Sequence, residues 1–196
     1  MQISLKLTRE ENARAHGVSV GSVVKLDLEP YLKGVLPAEI YESRTPQEAK
    51  KAQAIAARTY ALRAALDGTT LTDTPNHQSY SAEKARNAPN CARAIADTAG
   101  MVLMYDGKVI RCYYSSSNGG RTKRTDEVWS AKLPYYKSRA DPWDEGARRA
   151  AAAQGKTIKA SHGVGLSQVG CMWAARQGVP YNEILAFYYS GAALVH

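Results

Sequence analysis

Cysteine is scarce in this chain. Cys91, Cys112 and Cys171 stand far apart in 196 residues, with no CxxC among them. That spacing excludes a zinc ribbon or a thioredoxin-like motif, and the odd count leaves at least one thiol unpaired, so no disulfide scaffold is expected. Histidine is nearly as sparse. His16, His77, His162 and His196 include no HExxH and no i, i+4 pair, so no metal site is expected. His77 and Cys91 could meet in space, but two ligands do not make a site. No stretch approaches the roughly 20 apolar residues of a membrane span. Residues 1–30 lack the basic start and apolar run of a secretory signal. No run of Lys or Arg exceeds two, and there is no internal repeat or linker, so a single domain over residues 1–196 is expected.

What is present is ordinary for a globular protein: 44% hydrophobic and 22% charged residues. The net charge of +8 is more informative, since it favours a polyanionic partner such as nucleic acid, an anionic membrane or an acidic cell-wall polymer. Nucleic-acid binding has no motif behind it and rests on charge alone, so it is not expected. Twelve tyrosines against one phenylalanine suit either a wet binding cleft or the edge of a core.

Along the chain, "ISLKL" and "GSVVKLDL" alternate as short strands. In "EPYLKGVLPAEI", Pro30 suits a helix start and Pro37 is expected to interrupt a helix. The strongest element is "TPQEAKKAQAIAARTYALRAALDG". Thr45 is placed as N-cap, Pro46 as the first helical residue, Glu48 as the partner in a capping box and Gly68 as the left-handed stop. On this helix Ile55, Leu62 and Leu66 form an apolar stripe that also carries Arg58 and Thr59, so the arginine needs a carboxylate partner or a route to solvent. "CARAIADTAG" reads as a short helix and "MVLMYDGKVIRCYYSS" as a hairpin turning at Asp106-Gly107. "EVWSAKLPYYKSRADPWDEG" reads as irregular, followed by a short helix in "ARRAAAAQGK". The last helices are expected at about 167–177 and 181–189, closed by Gly178 and Gly191. The result is an α+β fold, with mixed, mostly antiparallel strands packed around a central alanine-rich helix and followed by C-terminal helices.

Three readings suggest themselves in "SHGVGLSQVG": a serine nucleophile, a phosphate-cradling glycine loop, or a tight turn feeding a helix. A Ser167 nucleophile would need His162 in reach, but the serine is one position off the GxSxG elbow, and a helix cap is the better reading. The glycines lack GxGxxG spacing and no Lys-Ser/Thr pair follows, which leaves only generic anion binding at a helix start. For acid–base work the notable carboxyl is Glu39, in the apolar run "GVLPAEI". Desolvation there would raise its pKa and make it a general acid near neutral pH, although position alone favours a surface glutamate.

Seven segments together carry a resemblance: "YLKGVLPAEI", "PQEAKKAQAIAARTYAL", "DTPNHQSY", "YYSSSNGGRT", "VWSAKLPYY", "SHGVGLSQVGC" and "YNEILAFYYSG". In this order, over roughly residues 28–191, the chain resembles the catalytic domain of the stage II sporulation protein D family and its amidase-enhancer relatives. The resemblance implies a peptidoglycan lytic transglycosylase without cofactor. It would cut between N-acetylmuramic acid and N-acetylglucosamine and leave a 1,6-anhydro end, with Glu39 as acid and then base. It also implies that Arg58 orients or balances Glu39. Tyr60, Gln78, Tyr80, Ser115, Ser116, Ser117, His162, Ser167 and Gln168 would line the sugar cleft. Implied partners are peptidoglycan glycan strands, intact or stripped of peptide, and a cell-wall amidase, in an extracytoplasmic setting. The alternative is a non-catalytic wall-binding activator of an amidase. Asn76 and His77 replace the Cys/His pattern of zinc-carrying relatives. Only about 25 residues separate "LPYY" from His162, where many relatives carry more.

Overall fold

The alternation of "ISLKL" is realised in β1 (Gln2–Lys6), which turns Ile3 and Leu5 into the core. It pairs antiparallel with β2 (Val23–Asp27) and parallel with β3 (Leu71–Thr72). The computed structural model describes residues 1–196 and adds one element here that the sequence does not announce, α1 (Glu10–Ala15). No local side chain caps α1. Instead Asp73, fully buried and 61 or more residues away, accepts from the Thr8 and Arg9 N–H groups and from Asn12 Nδ2.

α2 (Leu28–Glu39) has Pro30 in its first turn as expected, but Pro37 does not end it. The proline sits in the last turn, where its missing N–H leaves the Lys33 carbonyl without its helical donor, and the helix runs on only two residues to Glu39. The central helix α3 (Gln47–Leu66) begins one residue later than anticipated, and the capping box does not form. Thr45 turns its hydroxyl toward Met172, while Glu48 pairs with Lys51 and accepts from the Tyr181 N–H. Gly68 does close the helix with φ +69°. Alanines on α3 serve two cores at once. Ala54, Ala57 and Ala61 pack with β1 and α2, whereas Ala49, Ala52, Ile55 and Ala56 pack with the C-terminal half.

α4 (Ala82–Ala85) and α5 (Pro89–Asp97) follow. The expected hairpin forms as β4 (Val102–Tyr105) and β5 (Lys108–Val109), with positive φ at both Asp106 and Gly107. It is shorter than the sequence suggests, because the chain leaves it to make β6 (Tyr114–Ser115) and β7 (Arg121–Thr122). β7 pairs antiparallel with β8 (Arg139–Ala140). The region expected to be irregular up to Gly146 already contains the start of α6 (Pro142–Ala152), capped by the Asp141 carboxylate on the N–H groups of Trp143 and Asp144. β9 (Leu166–Ser167) lies parallel to β6 and leads straight into α7 (Gln168–Arg176). α8 (Tyr181–Tyr188) and β10 (Ala193–Val195), which adds to β4, complete the mixed, mostly antiparallel α+β architecture. Gly178 and Gly191 both take positive φ as expected of helix stops.

Candidate functional site

A cleft of about 820 Å3 opens where the end of α2 meets α4, the start of α7 and the segment after β6. Glu39, the last residue of α2, forms part of its wall together with Ser116, Gln168 and Met172. The Glu39 carboxylate is held at both oxygens. Oε1 accepts from the Ser79 N–H at 2.5 Å, and Oε2 accepts from Gln168 Nε2 at 3.2 Å. Burial raises its pKa, and these two hydrogen bonds, which favour the ionised form, offset the rise only in part. The negative charge is felt by Tyr31 and Tyr114, whose pKa values burial and Glu39 together raise.

Behind the carboxylate lies a polar chain inside the protein. Tyr31 donates to Gln78 Oε1 at 3.1 Å, and Gln78 Nε2 donates to Tyr114 Oη at 2.8 Å and to the Ala57 carbonyl at 3.2 Å. A second carboxylate of the cleft, Glu42, is differently employed. It accepts from the Asn90 and Cys91 N–H groups at 2.6 and 2.9 Å, at the start of α5. Burial would raise its pKa, but the hydrogen bonds from Cys91 and Asn90 outweigh this and hold the carboxyl below its ordinary range.

Arg58 does not balance Glu39. Its fully buried guanidinium clamps Glu29 through Nε at 2.7 Å and Nη2 at 2.9 Å, and also donates to the Ile95 and Met101 carbonyls and to Thr98. The arginine on the apolar stripe did find a carboxylate, but on the first turn of α2. Ten residues at 1.5 Å rise put that turn about 15 Å from Glu39 along the axis.

The expected sugar contacts divide in two. Gln168 and the exposed Ser116 reach the cleft. Half-buried Tyr60 lines a separate hollow of about 350 Å3 with Arg63 and Tyr113, and packs edge-on against Tyr113. His162 stacks near Trp129 and is fixed by two bonds, Nε2 to the Tyr114 carbonyl and Nδ1 from the Val164 N–H, which selects the neutral ring with the proton on Nε2. Burial lowers its pKa, opposed by the Tyr114 carbonyl and reinforced by Lys123.

The remaining expected contacts are turned inward, and all but Ser115 are used by the protein's own hydrogen bonds. Gln78 is fully buried in the chain above. Tyr80 is buried, stacks on Tyr31 and bonds His16 through its hydroxyl. Ser115 is buried with its hydroxyl unpartnered. Ser117 donates to Asp144 at 3.1 Å, and Ser167 donates to Asp144 at 2.6 Å while capping α7 through the Gly170 N–H. Ser167 is thus a cap, and its partner acid is Asp144 rather than His162.

The glycines of "SHGVGLSQVG" also serve the protein itself. Gly165 has φ +76°, and a Cβ there would overlap the Tyr113 carbonyl.

Three participants escaped the sequence reading. Ser79 acts through its backbone N–H, which has no residue signature. Asp144 gathers Ser117, Ser167 and the Asn118 and Gly120 N–H groups, and so ties the serine loop to α6 and α7. The signal that could have found this region is Asp141-Pro142, a cap followed by proline at the first helical position. Tyr41, two residues past Glu39 and 68% exposed at the cleft, had no pattern to mark it.

Residues 16–105, which span α2, α3 and the Ser79 loop, match the family described as SpoIID, Stage II sporulation protein. Over that stretch the chain is similar to the SpoIID family. Among curated SpoIID-like relatives, the "Amidase enhancer" of Bacillus subtilis is 43% identical over 113 residues, covering 58% of this chain but 15% of that protein. "Stage II sporulation protein D" of Bacillus amyloliquefaciens is 32% identical over 142 residues, covering 63% of this chain and 41% of the relative. The Bacillus subtilis protein of the same name is 24% identical, covering 88% of this chain and 76% of the relative. The chain thus spans less than half the length of the first two. The third alignment runs over 260 positions, more than the 196 residues here, so this SpoIID-like chain lacks segments that the relative has. No helix is long and apolar enough to cross a membrane.

Proposed function

We propose that this domain is a peptidoglycan lytic transglycosylase acting in the cell wall, outside the cytoplasm, with Glu39 as its single acid–base group. The observation that carries the reading is the Glu39 carboxyl itself, placed in a cleft of about 820 Å3 and with its pKa raised by burial. Protonated, it would give its proton to the oxygen bridging N-acetylmuramic acid and N-acetylglucosamine. As that bond breaks, the muramic C6 hydroxyl attacks C1 and returns its proton to Glu39, leaving a 1,6-anhydro end and consuming no water.

Gln168 suits both halves of this cycle. Its amide N–H donates to the ionised carboxylate, and a half-turn of the amide would present its oxygen to the protonated one. Glycoside hydrolysis by two carboxylates is less well supported. Glu42 is committed to the start of α5 and held ionised, and Glu83 is exposed.

The test incubates the protein with intact and with peptide-stripped glycan strands and reads the products by mass spectrometry. Anhydromuramyl ends are expected from the wild type and not from Glu39→Gln. Reducing ends would point to hydrolysis and a second carboxylate. The name of the 43% identical relative favours one other reading, a wall-binding activator of an amidase. Retained wall binding with no glycan product from either substrate would establish that reading instead.

A further inference from the structure

We propose that Asn12 is a positioning residue for Glu39, acting by fixing the loop whose Ser79 N–H grips the carboxylate. Asn12 lies on α1, before the segment that matches the family, and is buried. Its amide brackets the loop on the far side of Ser79. Nδ2 donates to the Tyr80 carbonyl at 3.0 Å, and Oδ1 accepts from the Ala82 N–H at 3.0 Å. The same Nδ2 donates to Asp73 Oδ2 at 3.0 Å, and Asp73 in turn takes the Thr8 and Arg9 N–H groups, so the asparagine is itself fixed.

One side chain thus holds the peptide groups at residues 80 and 82, while the N–H of residue 79 is 2.5 Å from Glu39 Oε1. With the bracket released, the loop keeps its Ser81 N–H bond to the Gly34 carbonyl but loses its hold at residues 80 and 82, which lets Ser79 shift away from the carboxylate. The hydrogen bond lost is one that favours the ionised form, so Glu39 should hold its proton to higher pH. The other titratable groups around it stay in place: Tyr31 on its own helix, Tyr114 from β6, Glu42 ahead of α3, and Glu83 and Lys84 across the cleft.

The consequence for turnover rests on the transglycosylase reading, but the positioning claim does not. It is read directly as the titration of the Glu39 side-chain carboxyl by carbon NMR on the full chain, assigned by its loss in Glu39→Gln. Two variants release the bracket from opposite sides. Asn12→Ala removes the amide. Ala82→Pro removes the N–H that Asn12 accepts from, at the first residue of α4, where proline is tolerated and the preceding Ser81 is already extended. The second variant keeps the test open if the first does not fold. His16→Leu is the control. It cuts the bond from the same stretch of chain to the Tyr80 hydroxyl but leaves the Asn12 bracket intact.

The expected result is an upward displacement of the Glu39 titration in both bracket variants and none in His16→Leu. Glycan cleavage by the folded bracket variants should fall about 10- to 100-fold. An unchanged titration in a folded bracket variant, or an equal displacement in His16→Leu, overturns the proposal. A displaced titration in a protein that cuts no glycan even as wild type would sink the enzymatic reading and leave the positioning role standing.

Discussion

Glu39 is in conflict with its surroundings in a way that has a measurable sign. Its pKa in the folded protein is raised, chiefly by burial, above the unfolded value of about 4.3. The folded state therefore holds this proton more tightly than the unfolded chain. The stability contributed by the protonated group is fully present below about pH 4.3 and is lost as pH rises through the folded-state pKa. At neutral pH the ionised carboxylate is thus a cost to folding. Gln in its place keeps an oxygen for the Ser79 N–H and an amide for Gln168 without the charge. Glu39→Gln is expected to unfold at a higher temperature than wild type at pH 7, with the gap closing toward pH 4. A thermal-melt series of both proteins across that range checks it. A gap that widens on acidification would mean the carboxyl is stabilised as the anion. An activity-destroying change that stabilises is what a functional carboxyl in a desolvated cleft leads one to expect.

At the scale of elements, Arg58 shows how a cation on the central helix can be structural rather than part of the site. It links α3 to the first turn of α2 and to the end of α5, using the Glu29 carboxylate and the Ile95 and Met101 carbonyls. Arg58→Met fills much of the volume but strands those acceptors. Glu29 is 37% exposed and regains water, whereas the bond to the Ile95 carbonyl is buried. The loss should fall near the low end for a broken buried pair, about 3 kcal/mol, read by urea unfolding. A loss below about 0.5 kcal/mol would show that the clamp is dispensable.

The same helix marks the limit of reading a sequence. Its period, its alanines and Gly68 were legible because they are local. Its capping box was not realised, because Glu48 had a better use on the Tyr181 N–H, 133 residues away. α1 was missed for the converse reason, its start being capped by Asp73. The parallel pair β6–β9 has two residues a side and joins positions 52 apart, and no pattern so short can announce its partner.

Over the whole molecule, the candidate site follows the same rule. The carboxyl was legible as an acid in an apolar run, but what holds it comes from three remote stretches: the Ser79 backbone, Gln168 and, behind the loop, Asn12. Charge divides differently again. The chain carries +8, yet the cleft is lined by Glu39, Glu42 and Glu83 against the single cation Lys84. The basic surplus therefore lies outside the place where a glycosidic bond would be cut. It suits a role in holding an anionic wall, with its peptide carboxylates, more than in the chemistry. Raising salt from about 0.1 M to about 1 M shortens the screening length from about 10 Å to about 3 Å. Binding of the inactive Glu39→Gln protein to insoluble wall should weaken steeply over that range, as measured by co-sedimentation. Cleavage of short, peptide-free glycan by the wild type should change little, because the cleft does not depend on the distant cations. Equal salt sensitivity of the two would place the cations at the cleft after all, and salt-independent wall binding would leave the +8 without a part in recognition.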